Sequence, residues 1–157
     1  MTTSAGILLY RLGPTLEVLI AHMGGPFWAQ KDAGAWSIPK GEFDEGDEPA
    51  LDAAQREFRE ELGLEPPAGP YAELGTFAYS SGKRVTVFIA DGPGFSLDGL
   101  VFGEFELEWP PRSGRTARFP EVDRVEWTGA DAARDRLVTG QRAALDALAE
   151  HVASAGG

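Results

Sequence analysis

The segment from Glu48 to Leu62 narrows the choice of fold more than any other. Leu51, Ala54, Phe58 and Leu62 recur at spacings of 3, 4 and 4 residues, the period of a helix with one buried stripe. Asp47 stands where an N-cap is expected, Pro49 suits the first turn, and Gly63 falls where a helix commonly stops. Pro66, Pro67 and Pro70 then break any continuation.

Strand-like runs lie on both sides of this helix. Ile7 to Tyr10 and Leu16 to Ala21 flank a Gly13-Pro14 turn and predict a strand pair. Residues 22–41 are rich in glycine and aromatics without a clean period, which predicts a long ordered loop with a short strand near Trp36 to Ile38. Residues 71–79 and 84–91 predict a second strand pair around Ser80-Ser81-Gly82-Lys83. Val101, Phe105, Leu107 and Trp109 share one face of a run whose other face carries Glu104, Glu106 and Glu108, the pattern of a half-buried strand. Pro110 to Pro120 reads as a basic loop with Arg112, Arg115 and Arg118, and Val122 to Trp127 as a last strand. Thr128 and Asp131 are spaced like a capping box for a short helix to about Val138. Thr139 is placed to cap a terminal helix whose Leu145, Leu148 and Val152 face inward, with Ser154 to Gly157 frayed. Strands mixed with helices give an α/β or α+β class. No repeat or linker divides the chain, so residues 1–157 are expected to form one domain.

Composition excludes several kinds of function. Of 157 residues, 43% are apolar and 25% charged, enough for a real core. With no cysteine there is no disulfide, thiolate metal site or cysteine nucleophile, and His22 and His151 are too few for a histidine-rich centre. The net charge of −11 disfavours nonspecific nucleic acid and anionic membranes. It leaves anionic substrates open, because divalent cations can reverse the sign locally. No segment reaches the about 20 apolar residues of a membrane span. The start shows no leader, so a cytoplasmic protein is expected.

The chemistry is expected on the helix. With Leu51 at 0° and about 100° per residue, Glu57, Glu60 and Glu61 fall near 240°, 180° and 280°, on one flank of the buried stripe. Asp52, Gln55, Arg56 and Arg59 lie opposite. Two like charges 4 Å apart repel by about 4 kcal/mol at an effective dielectric near 20, so such a row either splays into water or holds a cation. Hard divalent ions such as Mg²⁺ take carboxylate oxygens.

The residues around the row resemble a known motif. Gly41, Glu48 and Arg56-Glu57-Phe58-Arg59-Glu60-Glu61-Leu62-Gly63-Leu64 resemble the Nudix box, and every fixed position of the second half is matched. The box spans residues 41–64. Six residues separate Gly41 from Glu48 where five are expected, so either the loop is one longer or Asp47 takes the first acidic position. Trp36-Ser37-Ile38-Pro39-Lys40-Gly41 resembles the lead-in to the box of Nudix hydrolases acting on diadenosine polyphosphates and diphosphoinositol phosphates. Gly82-Lys83 with the strand after it, and Pro120 to Trp127, are similar to segments of the former group.

The resemblance implies an α/β fold, an α/β/α sandwich around a mixed sheet. It also implies a pyrophosphohydrolase that cleaves a phosphoanhydride of a nucleoside polyphosphate, a dinucleoside polyphosphate or a nucleoside triphosphate. Glu57, Glu60 and Glu61, with the Gly41 carbonyl, would hold Mg²⁺ or Mn²⁺. A general base would come from Glu60 or Glu121. Lys40, Lys83, Arg112 and Tyr79 are candidates for the substrate, with Arg84 and Arg115 as further cations and Phe27 and Trp28 as further aromatics. Arg56, Glu48 and Gly63 are expected to be structural within the box. The expected partner is a small nucleotide, with neither nucleic acid nor membrane, and a homodimer is allowed. The alternatives are a nucleotide-binding regulator without turnover and a structural acidic domain. Nucleotide sugars and diphosphoinositol phosphates stay open as substrates, the last least suited to an acidic protein.

Overall fold

A computed structural model describes residues 3–156. Met1 and Thr2, which open the start read for a leader, and Gly157 of the expected frayed end lie outside the described residues.

The central strand sets the architecture. Strand β1 (Thr3–Leu12) pairs antiparallel with β2 (Leu16–Met23) and parallel with β6 (Arg84–Asp91). Its side chains alternate between two cores. Leu8 joins Val18, Ile20, Val87 and Ile89 on one face; Ile7 and Leu9 join Leu19, Ala21 and Ala90 on the other. A strand covered on both faces reads as an unbroken apolar run rather than an alternating one. Beyond β2 lie β3 (Trp36–Ser37) and β9 (Val122–Gly129); beyond β6 lies β5 (Ala72–Ala78), and β4 (Lys40–Glu42) pairs with β1. The sheet is therefore mixed and seven-stranded, as the α/β class requires.

Helix α1 (Ala50–Leu62) covers one face with Ala53, Ala54, Phe58 and Leu62, all fully buried. Helices α2 (Ala130–Arg136) and α3 (Arg142–Gly156) cover the other through Ala133, Ala144, Leu145 and Leu148. This is the α/β/α sandwich. The buried side of α1 is wider than its stripe, because Ala53 is enclosed rather than facing the site.

Several expectations are corrected. The N-cap of α1 is Pro49, not Asp47. The amides of Asp47 and Glu48 both donate to the Asp44 carbonyl, so residues 44–48 close a turn of their own and the helix starts later. Gly63 does end the helix, at φ 68° with its N–H on the Arg59 carbonyl. The expected strand over 101–109 shortens to β7 (Glu104–Glu108), and Val101 is exposed instead of inward. Within the expected basic loop lies an unforeseen strand, β8 (Thr116–Pro120), which pairs with β7 in a hairpin outside the main sheet. Helix α2 is capped by Gly129 and not by Thr128, whose buried Oγ1 meets no partner among the described residues. Residues 139–141 form a 3-10 turn ahead of α3, so Thr139 does not cap it. Residues 154–156 continue α3 where fraying was expected.

Phe58 is fully buried and meets Phe95 edge to face, ring centroids 5.8 Å apart. Phe58→Ala is expected to lower unfolding stability by about 3–5 kcal/mol through the cavity it leaves. Denaturant melts check this, and an unchanged midpoint would contradict the packing of α1.

Candidate active site

The site forms where α1 passes over β4. The sequence brings the two together closely because position 41 is glycine. A Cβ there would lie 2.0 Å from the Glu57 carboxyl carbon, so that carboxylate rests directly on the Gly41 backbone. One turn on, Glu61 Oε2 accepts the Lys40 amide at 3.3 Å. Helical spacing on α1 thus delivers two carboxylates to two successive residues of one strand.

Arg56 holds the outer side of this row. Its guanidinium donates to Glu48, to Glu57 Oε1 at 2.8 Å and to Glu60 at 3.3 Å. The bond to Glu48, foremost among these, keeps Arg56 charged well above its ordinary range. Glu48, not Asp47, takes this place in the box, and the longer loop absorbs the extra residue. Glu60 is more than half exposed and meets Arg56, whereas Glu57 and Glu61 are largely buried against β4. The three acids expected to converge therefore divide into Glu57 and Glu61 on the inner side and Glu60 on the outer. Among the described residues, no three acidic or histidine side chains stand in a ready ligating arrangement.

Charge on the inner side is poorly compensated. Burial pushes the Glu61 carboxyl up to about 8, with Glu121 and Glu57 adding to the shift and Lys40 opposing it. Burial also raises Glu57, against its bond from Arg56, and Glu60 and Glu121 push the same way. Glu121, at the bend between β8 and β9, belongs to this electrostatic group rather than to a plain strand edge.

Two cavities meet at Lys40. The first, about 250 Å³, is walled by Trp28, Met23, Ile38 and Phe105, with Glu61 and Glu121 at its edge. The second, about 350 Å³, gathers Tyr79, Lys83 and Arg84 around Lys40 and Gly41. Five of the residues singled out for substrate or metal thus line one space. Arg112 is not among them; it sits at the exposed tip of the β7–β8 hairpin with φ 62°. Arg115 lies in the same tip. Phe27 packs on Trp109 of the hairpin, 5.5 Å between centroids, and leaves the first cavity to Trp28. Phe105 was expected only as a core-facing strand residue, and Met23 carried no sequence signal. His22 is buried with its ring nitrogens 2.7 Å from Asp123 Oδ1 and the Lys31 carbonyl oxygen, and His151 is exposed.

The Glu61 geometry has a pH signature. Its carboxyl titrates near 4.5 when freely solvated and about 8 in the fold. The folded protein therefore keeps a proton that the unfolded chain releases, which favours folding fully below about pH 4.5 and is lost as pH rises through 8. In chelator, urea melts from pH 5 to 9 are expected to show wild type losing stability relative to Glu61→Gln. Parallel curves would contradict the buried placement of this acid.

Comparison with known proteins identifies a family. The family described as NUDIX domain matches residues 2–148. A curated relative, the uncharacterized 17.7 kDa protein in the e-segB intergenic region of Enterobacteria phage T4, is 36% identical over 88 residues, 55% of this chain and 57% of that protein. The match thus spans little more than half of that relative's length. An Ap4A hydrolase of C. elegans in a binary complex superposes with a TM-score of 0.65 at 20% identity, over 98% of this chain and 99% of that one. The NUDIX domain of Shewanella oneidensis NrtR, cocrystallised with ADP ribose, gives 0.64 at 18% identity, over 96% and 87%. RenU, a Nudix hydrolase from M. Smegmatis, gives 0.61 at 24% identity, over 97% and 86%. These likenesses bear on the fold, and the match across nearly the whole sequence bears on descent: the chain belongs to the Nudix family, whose chemistry is hydrolysis of phosphoanhydride bonds.

Proposed function

We propose that the chain is a divalent-metal-dependent pyrophosphohydrolase acting on a nucleoside polyphosphate, with a dinucleoside polyphosphate first and a nucleoside triphosphate second. One observation carries this reading: two undercompensated acids, Glu57 and Glu61, with Glu121 nearby, adjoin a cationic cavity of Lys40, Lys83 and Arg84. Phosphate oxygens fit the lysines and arginine, and the apolar cavity beside Trp28 and Phe105 suits a base.

The donor set fits a hard divalent ion. Glu57 and Glu61 are oxygen donors beside one strand, and the Gly41 cradle leaves its backbone open to the same space. Glu60 is the remaining donor, held by two 3.3 Å bonds from Arg56. Mg²⁺ or Mn²⁺ at these residues would neutralise the polyphosphate and lower the pKa of a bound water. Arg56 and Glu48 brace the row from behind, and Lys40, Lys83 and Arg84 draw the phosphate chain against it. Glu121, which shares a cavity edge with Glu61, is the acid best situated to accept a proton from the attacking water, with Glu60 as the second candidate. The Ap4A hydrolase likeness supports the dinucleoside substrate, and the ADP-ribose complex makes that compound the natural competitor.

Purified protein is to be incubated with diadenosine tetraphosphate, nucleoside triphosphates and ADP-ribose, and the products separated by chromatography. Cleavage is expected with Mg²⁺ or Mn²⁺, to stop on chelation, and to fall on the order of a hundredfold in Glu57→Gln. Metal-dependent binding without products across the panel would instead favour a nucleotide-binding regulator.

A further inference from the structure

Gln141 is a polar side chain that joins the two cavities from behind. It is fully buried in the 3-10 turn between α2 and α3, on the opposite side of the sheet from the glutamates. Its amide is fully used. The Ile38 amide donates to Oε1 at 2.9 Å, and Nε2 donates to Ser37 Oγ and to Tyr79 Oη, each at 2.9 Å.

These partners are the walls of the site. Ser37 and Ile38 line the first cavity, Tyr79 lines the second, and Lys40, two residues beyond Ile38, lines both. The chain changes partner here: Trp36 and Ser37 pair with β2, whereas Lys40 pairs with Gly6 of β1. Between these two ladders the Ile38 N–H is given to a side chain instead of a strand. A primary amide offers the same donor and acceptor as a peptide group, so Gln141 stands in for the missing strand. The turn is sewn to the same segment by Val138 N–H on the Trp36 carbonyl at 2.9 Å. On the other side, the Tyr79 ring lies over Gly140, and the Tyr79 amide donates to the Lys83 carbonyl at 2.8 Å, which ties the Lys83 turn to the same anchor.

We infer that Gln141 is a positioning residue for substrate: through one buried amide it sets Ser37 and Ile38 against Tyr79 and so fixes Lys40 between the two cavities. This rests on the proposed nucleotide hydrolysis, because it assigns the walls to the substrate. None of its three bonds goes to the acid row, which it reaches only through the Lys40 amide on Glu61, so it governs how substrate seats more than how the carboxylates on α1 act.

Gln141→Met keeps the length and bulk of the side chain and removes all three bonds. Kinetics are measured on whichever of diadenosine tetraphosphate, a nucleoside triphosphate or ADP-ribose the wild type cleaves fastest, with Mn²⁺ binding followed separately by electron paramagnetic resonance. KM is expected to rise by about tenfold, with kcat changed by less than about threefold. Mn²⁺ binding is expected to weaken by less than about threefold, and hydrogen exchange at the Ile38 amide to accelerate. Should Gln141→Met not fold, Gln141→Asn keeps the amide but is one methylene too short to span Ile38, Ser37 and Tyr79 together, and is expected to give the same split. An unchanged KM, or losses in kcat and Mn²⁺ binding that match the loss in KM, would overturn the role of Gln141 while leaving hydrolysis intact. A wild type that neither binds nor cleaves any of the panel would overturn the hydrolase reading and this role with it.

Discussion

The structure is organised around the cost of holding acid against protein. Glu57 rests on the Gly41 backbone and Glu61 on the Lys40 amide, both withdrawn from water in the seam between α1 and β4. Burial is the main cost of their charge, and repulsion among the neighbouring acids adds to it. Arg56 relieves that repulsion only on the outer side, where it meets Glu48, Glu57 and Glu60. On the inner side the chain answers with protonation, and the Glu61 carboxyl moves up to about 8. A strained acid row of this kind is poor economy for stability alone and good preparation for a cation, which would remove the repulsion at its source.

The overall charge of −11 would repel a polyphosphate at a distance. The local arrangement reverses this where it matters. Lys40, Lys83 and Arg84 line one cavity directly beside the acid row, so cations and acids alternate across the seam instead of mixing over the surface. In the proposed function the cavity beyond Lys40, walled by Trp28 and Phe105, would take a base. A substrate with both a phosphate chain and an aromatic end matches this pairing better than a small, uniformly anionic one.

Much of this was legible in the residues. The spacing of Leu51, Ala54, Phe58 and Leu62 located α1 and its buried face, and the Gly63 stop was correct, because both follow from local geometry. The Asp47 cap failed because an unforeseen turn on the Asp44 carbonyl took its place. The β7–β8 hairpin was half seen: alternation marked β7, but β8 lies among arginines and prolines, and only its pairing partner makes it a strand. Within the site, helical phase put Glu57, Glu60 and Glu61 on one flank and Arg56 opposite, yet phase says nothing about neighbours. It took Gly41, Lys40 and Arg56 to separate Glu60 from the other two. Phe105 and Gln141 had no local signature at all, since their roles depend on strands and turns distant in sequence.

The central claim is that Glu57 and Glu61 form the inner half of a divalent-ion site against β4. Anomalous X-ray scattering from a crystal soaked in Mn²⁺ tests it most directly. A manganese peak bounded by both carboxylates and the Gly41 carbonyl is the predicted result. A fully ordered site with no peak there, or a peak held elsewhere by other acids, would contradict it.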